Sequence, residues 1–160
     1  MLKRFFIIFI FLCSVTAVYS AETAVLSAGI SLNETVPSEL MGTWRVVSKL
    51  TNTDSPENFK NVGVVLWNLS RQGDVITLYS PFTGAEASVK VQYVKDNTVK
   101  FTKEGNYEDR LLTDTVEITL MGDTFSGRNY LTLQKSSASD FKHAEYVIVG
   151  KRISGSGVLE

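Results

Sequence analysis

The sequence predicts an all-β domain, an eight-stranded antiparallel up-and-down β-barrel, with a β-sandwich as the alternative. Three observations predict it. Apolar residues recur with a period of two along almost the whole chain after Trp44. Short turns bearing Gly, Asn and Asp punctuate those runs, and no segment carries the 3.6-residue apolar period of a long helix. Alternation puts one face of each strand into a core and leaves the other wet. Closing eight such strands on themselves removes the edge strands that otherwise invite association.

The chain begins MLKRFFIIFIFLCSVTAVYSAE, with Lys3 and Arg4 ahead of the apolar run 5–13 and the small-residue site Val18-Tyr19-Ser20 behind it. Residues 1–20 are therefore expected to be a cleaved secretory signal peptide, too short to cross a bilayer as a helix. A secreted or periplasmic location follows. Leu12 argues against a lipid anchor on Cys13, since a small residue is needed before such a cysteine. Residues 21–38, small and polar around a few apolar ones, are expected to be a tether lying on the barrel. The barrel itself is expected over 39–153, and 154–160 as a flexible tail.

Strands are expected near 43–50, 63–70, 74–80, 86–94, 98–103, 109–121, 124–134 and 143–153. Val65, Trp67 and Leu69 alternate with Leu66, Asn68 and Ser70; Ala87, Val89, Val91 and Tyr93 with Ser88, Lys90 and Gln92. Val99 and Phe101 alternate with Lys100 and Thr102, and Val116, Ile118 and Leu120 with Glu117 and Thr119. Turn signals fall between the runs: RQGD at 71–74, SPFTG at 80–84, KDN at 95–97, KEGN at 103–106 and MGD at 121–123. Short helical turns are expected at 54–59 and within 136–143.

The 160 residues carry 16 Lys plus Arg and 17 Asp plus Glu. Removing the signal with Lys3 and Arg4 leaves 14 cationic against 17 anionic side chains, a net charge near −3 with the signs interspersed. Such a surface recruits neither nucleic acid nor anionic lipid. Cys13 is the only cysteine and leaves with the signal, so the domain stands on packing without a disulfide. Two glycosylation sequons start at Asn33 and Asn68, but Asn68 lies inside an expected strand, a poor place for a glycan.

The stretch Leu40-Met41-Gly42-Thr43-Trp44 resembles the L-x-G-x-W motif that opens the first strand of lipocalins, fatty-acid-binding proteins and their bacterial relatives, the calycin superfamily. In that superfamily the Trp plugs the closed end of the barrel and an Arg of the last strand lies across its indole. The resemblance implies a lipocalin-like barrel with Gly42, Trp44 and Arg152 as its structural closure. Trp44 and Arg152 bracket all eight expected strands. A guanidinium over an indole adds cation–π attraction, and its planar donors can satisfy nearby carbonyls. The chain departs from the family's pattern in three places. Residues 51–62 are too short for the helix pair of fatty-acid-binding proteins, the central lipocalin motifs are absent, and no long helix follows the barrel.

Signals for catalysis are sparse. His143 is the only histidine and follows a polar loop, where a surface position is expected; no G-x-S-x-G elbow occurs and no mature cysteine remains. One His without Cys argues against a zinc site. The segment GDTFSGRN, 122–129, has glycines spaced as in a phosphate loop, but Arg128 and Asn129 replace the Lys and Ser/Thr, so a hairpin turn followed by a strand is expected. Carboxylates gather at Glu104, Glu108 and Asp109, and at Asp114 with Glu117; solvated turns explain them. We expect no enzyme, metal or cofactor.

The aromatics point elsewhere. Trp67, Tyr93, Phe101, Phe125 and Tyr146 are expected on inward faces beside Val65, Val89, Val99, Ile118, Leu120, Leu131 and Ile148. Either they fill the core, or they line a pocket open opposite Trp44 that takes a small hydrophobic ligand. The expected function is non-catalytic binding of a small, mostly apolar molecule. The alternative is a protein-binding or inhibitory module of the bacterial envelope, acting through loops that carry Phe82, Tyr107 and Arg71.

Overall fold

The computed structural model describes residues 31–107, 110–135, 140–155 and 157–158. The expected signal peptide lies outside the described residues. Strands β1 (Gly42–Thr53), β2 (Val62–Gln72), β3 (Val75–Tyr79), β4 (Glu86–Lys95), β5 (Thr98–Tyr107), β6 (Arg110–Met121), β7 (Thr124–Lys135) and β8 (Phe141–Ser154) follow one another, each antiparallel to the next. β1 also pairs with β8, from Thr43 opposite Ser154 to Thr53 opposite Ala144, and this closes the sheet. The fold is an eight-stranded antiparallel up-and-down closed barrel. No helix of the described residues is long and apolar enough to cross a membrane.

Several boundaries differ from expectation. β5 does not stop at Lys103; it runs on to Tyr107, with Glu104 opposite Thr113 and Gly105 opposite Leu112, so the KEGN segment is strand and not turn. The apolar alternation breaks there because Lys103 occupies an inward position. Residues 141–143 open β8 instead of ending a helical turn, and 136–139 lie outside the described residues. At 54–59 a single turn forms, its Asn58 N–H donating to Ser55 O at 3.0 Å. Where a flexible tail was expected after Ile153, β8 continues to Ser154 and a two-residue strand β9 (Gly157–Val158) pairs in parallel with Ser70 and Arg71 of β2.

Up-and-down topology sorts the connections into two ends. At one end lie the tight turns β2–β3, β4–β5 and β6–β7 together with the incoming segment 31–41. That segment is anchored, with two 3-10 turns at Leu32–Thr35 and Ser38–Leu40 and with Val36, Leu40 and Met41 buried. Arg71, an expected rim residue, holds it from below: its Nη1 donates to Val36 O at 3.0 Å and Asn33 O at 3.3 Å. Arg71 is thus a clasp at the closed end, far from the loops with which it was grouped. The other end carries the longer connections β1–β2, β3–β4 and β7–β8 together with the two-residue link from β5 to β6.

Inside, the period-two pattern delivers its apolar set to a continuous core that includes Trp44, Val46, Leu69, Ile76, Val99, Phe101, Val116, Ile118, Phe125 and Ile148. Burying a Phe such as Phe101 or Phe125 contributes about 1.5–3 kcal/mol. Room for Phe125 comes from across the β7–β8 pair. A Cβ at Gly150 would stand 2.2 Å from the Phe125 ring, so only a residue without a side chain lets the ring lie flat over that strand.

A lipophilic cup above an aromatic floor

The floor is built around β1's entry. Gly42 takes φ +123°, and a Cβ there would lie 2.0 Å from Gly155 O, so glycine is required both by conformation and by the close pass of the chain after β8. This entry angle sets Trp44 across the barrel axis, with its Nε1 donating to Leu40 O at 2.8 Å. Arg152 covers the indole, its Cζ 4.3 Å from the ring centroid. The guanidinium donates from Nη1 to Met41 O at 2.9 Å, from Nη2 to Glu39 O, and from Nε to Asp123 Oδ1 at 3.1 Å. One planar cation therefore stacks on the plug and ties down the segment that enters beneath it.

On the inner side of the plug, Phe125 lies 5.0 Å from Trp44 and 5.9 Å from Trp67, stacked on the latter at 20°. Trp67 meets Phe101 edge to face at 6.5 Å. These four rings fill the lower barrel. Above them the interior opens into a cavity of about 450 Å³, walled by Val46, Val65, Trp67, Leu78, Leu131 and Ile148. Ser80, Thr83 and Ala85 of the β3–β4 connection stand at its mouth.

The expected pocket residues divide. Trp67 lines the cavity and forms its base. Phe101 and Phe125 are fully buried in the floor beneath it. Tyr146 points inward but faces a smaller cavity of about 150 Å³ shared with Ser48, Lys60 and Gly63, and its hydroxyl donates to Lys60 O at 3.1 Å. Burial pushes its phenol pKa up.

Tyr93 is a correction: it is on the outside, 37% exposed. Between Val91 and Tyr93 the β4–β5 register shifts, Val91 pairing with Phe101 and Tyr93 with Lys100, so one extra residue is absorbed on β4. The bulge reverses the inside–outside phase, leaving Gln92 and Tyr93 both outward and turning Val94 in. On the outer wall Tyr93 donates to Glu117, and this bond to a carboxylate raises its pKa.

Sequence reasoning missed three polar residues inside the cup: Lys103, Asp114 and Asn129. Lys103 Nζ forms an ion pair with Asp114 Oδ2. Asp114 is 5% and Asn129 8% exposed. Burial raises the Asp114 pKa, while Lys103 and the Asn129 amide pull it back. Asp114 Oδ1 and Asn129 Oδ1 are buried with no hydrogen-bond partner among the described residues. The grouping of Asp114 with Glu117 does not hold, because the barrel wall separates them: Glu117 is on the outer face, 3.7 Å from Lys100. The missing signal was phase. Asp114 falls in register with Leu112, Val116, Ile118 and Leu120, and Lys103 with Val99 and Phe101.

Beside the mouth, Phe82 is 70% exposed in the turn closed by Gly84 N–H donating to Ser80 O at 2.8 Å. The Tyr107 backbone ends β5 at the same end; its side chain lies outside the description. His143 sits on the exposed face of β8, stacked on Phe141 and with Nδ1 3.3 Å from Thr132 Oγ1. No group of three His, Cys, Asp or Glu among the described residues is arranged to hold a metal ion. No protein-family model, curated protein or solved structure matches the chain.

Proposed function

We propose that this chain is a secreted or periplasmic lipocalin-like protein of the calycin type that binds a small, mostly apolar molecule in its cup without transforming it. The observation that carries the reading is the cavity of about 450 Å³ above Trp67, apolar on most of its wall and open at the end opposite the Trp44 plug. Its size falls in the range of small-molecule sites, and the wall offers the hydrophobic surface such a ligand seeks. The L-x-G-x-W stretch at Leu40–Trp44 and the stacked Arg152 support the kinship. The apolar run behind Lys3 and Arg4 supports export.

Native mass spectrometry of the protein purified from the compartment where its host places it tests the reading. A retained adduct of small-molecule mass is expected, lost in the Trp67→Ala variant. A bare protein, with no thermal shift across a lipid panel, overturns it. It would favour loop-mediated protein binding through Phe82 instead, the most exposed large apolar side chain among the described residues.

A further inference from the structure

The cup is not uniformly apolar, and its polar corner has a definite chemistry. Lys103 of β5, Asp114 of β6 and Asn129 of β7 converge on one side of the cavity from three adjacent strands. Lys103 is already committed to Asp114 Oδ2. What remains in this corner is a pair of acceptors on side chains that line the cavity, Asp114 Oδ1 and Asn129 Oδ1, both buried and both without a donor among the described residues. The Asn129 amide nitrogen serves Asp114, and that orientation leaves its oxygen free.

Two unfilled acceptors ask for donors, and the charges decide which kind. A carboxylate brings only acceptors; it would face Asp114 Oδ1 and Asn129 Oδ1 at close range and would find Lys103 already neutralised. An ammonium brings donors, but as a second cation beside Lys103 with one carboxylate between them it would bury an uncompensated charge. A hydroxyl supplies the proton and adds no charge. Resting on the reading of the cavity as a ligand cup, we propose that the ligand is an uncharged amphiphile of the aliphatic alcohol class. Its hydroxyl docks on Asp114 and Asn129, and its hydrocarbon body lies against Trp67, Leu78 and Ile148.

Decanol, decanoate and decylamine share one tail and differ only in the head, so titrating each against the intrinsic tryptophan fluorescence of the purified protein at neutral pH isolates the corner. Decanol is expected to bind at least tenfold more tightly than either ion. In Asp114→Asn, Lys103 loses its counter-charge, and the order is expected to invert in favour of decanoate. In Asn129→Leu, which leaves the ion pair intact, decanol is expected to weaken about tenfold while decanoate stays unchanged. Decanoate binding as well as decanol to the unaltered protein would overturn the inference and leave the cup reading standing. Preference for decylamine would overturn it too, showing Asp114 to act as a bare carboxylate. If none of the three bound, the inference and the proposed function would fall together.

Discussion

Replacing Arg152 by Ala tests the floor of the barrel, and its cost can be built from the contacts. The guanidinium stacks on a fully buried indole at 4.3 Å, and cation–π attraction in such a partly desolvated place is about 1–2 kcal/mol. Its Nη1 satisfies the carbonyl of Met41, itself fully buried; stranding a buried acceptor costs about 1–3 kcal/mol. The Asp123 contact adds little, because that carboxylate is 84% exposed and screened. The rotamer entropy that the arginine gives up on folding is no longer lost in the variant and offsets part of this, so a net loss of about 2–4 kcal/mol is expected, with a fall in Tm on the order of 10 °C. Urea unfolding followed by tryptophan fluorescence reads the change. Arg152→Lys keeps the charge but not the planar fork and should lose roughly half as much. Asp123→Ala should lose less than about 0.5 kcal/mol. A loss below about 1 kcal/mol for Arg152→Ala would refute the idea that this residue seals the plug.

Gly150→Ala drives a methyl into the Phe125 ring, which Trp44 and Trp67 prevent from yielding; a loss of about 1–3 kcal/mol is expected in the urea midpoint. Lys103→Met removes the cation paired with the buried Asp114 carboxylate, and the expected loss at neutral pH is about 3–5 kcal/mol by the same assay. Because burial raises the Asp114 pKa, the folded protein holds that proton at pH values where the unfolded chain has released it. Its contribution to stability is therefore full below the ordinary aspartate range and lost as pH rises through the raised value. Asp114→Asn should flatten this slope in unfolding measured from below the ordinary aspartate range up to neutral pH; an unchanged slope would assign it to other groups.

The fold was legible because the wall of a barrel repeats one simple rule. From Leu112 to Leu120, β6 obeys it at every position but Asp114: Leu112, Val116, Ile118 and Leu120 face in, and Thr113, Glu117 and Thr119 face out. Where the rule is broken by geometry, reading the sequence failed. Tyr93 continues the Val89–Val91 phase on paper, yet one bulge turns it to the outer wall, and nothing in the residues 91–93 announces that extra residue. β2 blurs the pattern differently, since Val62, Val64 and Leu66 are apolar but lie on the outer phase, with Val62 and Val64 exposed. The polar corner was hidden for a chemical reason. Lys103 and Asp114 each look like solvent-facing residues taken singly, and only the register that sets Lys103 opposite Asp114 shows that each makes the other tolerable inside.

That register also explains why the barrel is divided as it is. Trp44, Phe125, Trp67 and Phe101 supply close packing at the plugged end, where every polar group of Arg152 and Trp44 finds a partner. Two residues further along β5 and β6 the same inward positions hold Lys103 and Asp114 in place of another aromatic layer. A buried ion pair seldom stabilises a fold more than apolar residues of equal volume, and two acceptors without donors among the described residues make this one costlier still. Stability alone would have continued the hydrophobic layer upward and filled the barrel. The chain instead concentrates its packing in one half and places unsatisfied polarity in the other, where the wall is open. On the proposed reading, an incoming hydroxyl would supply there the donors that Asp114 Oδ1 and Asn129 Oδ1 lack among the described residues, so the same polar corner that weakens the packing would select the ligand.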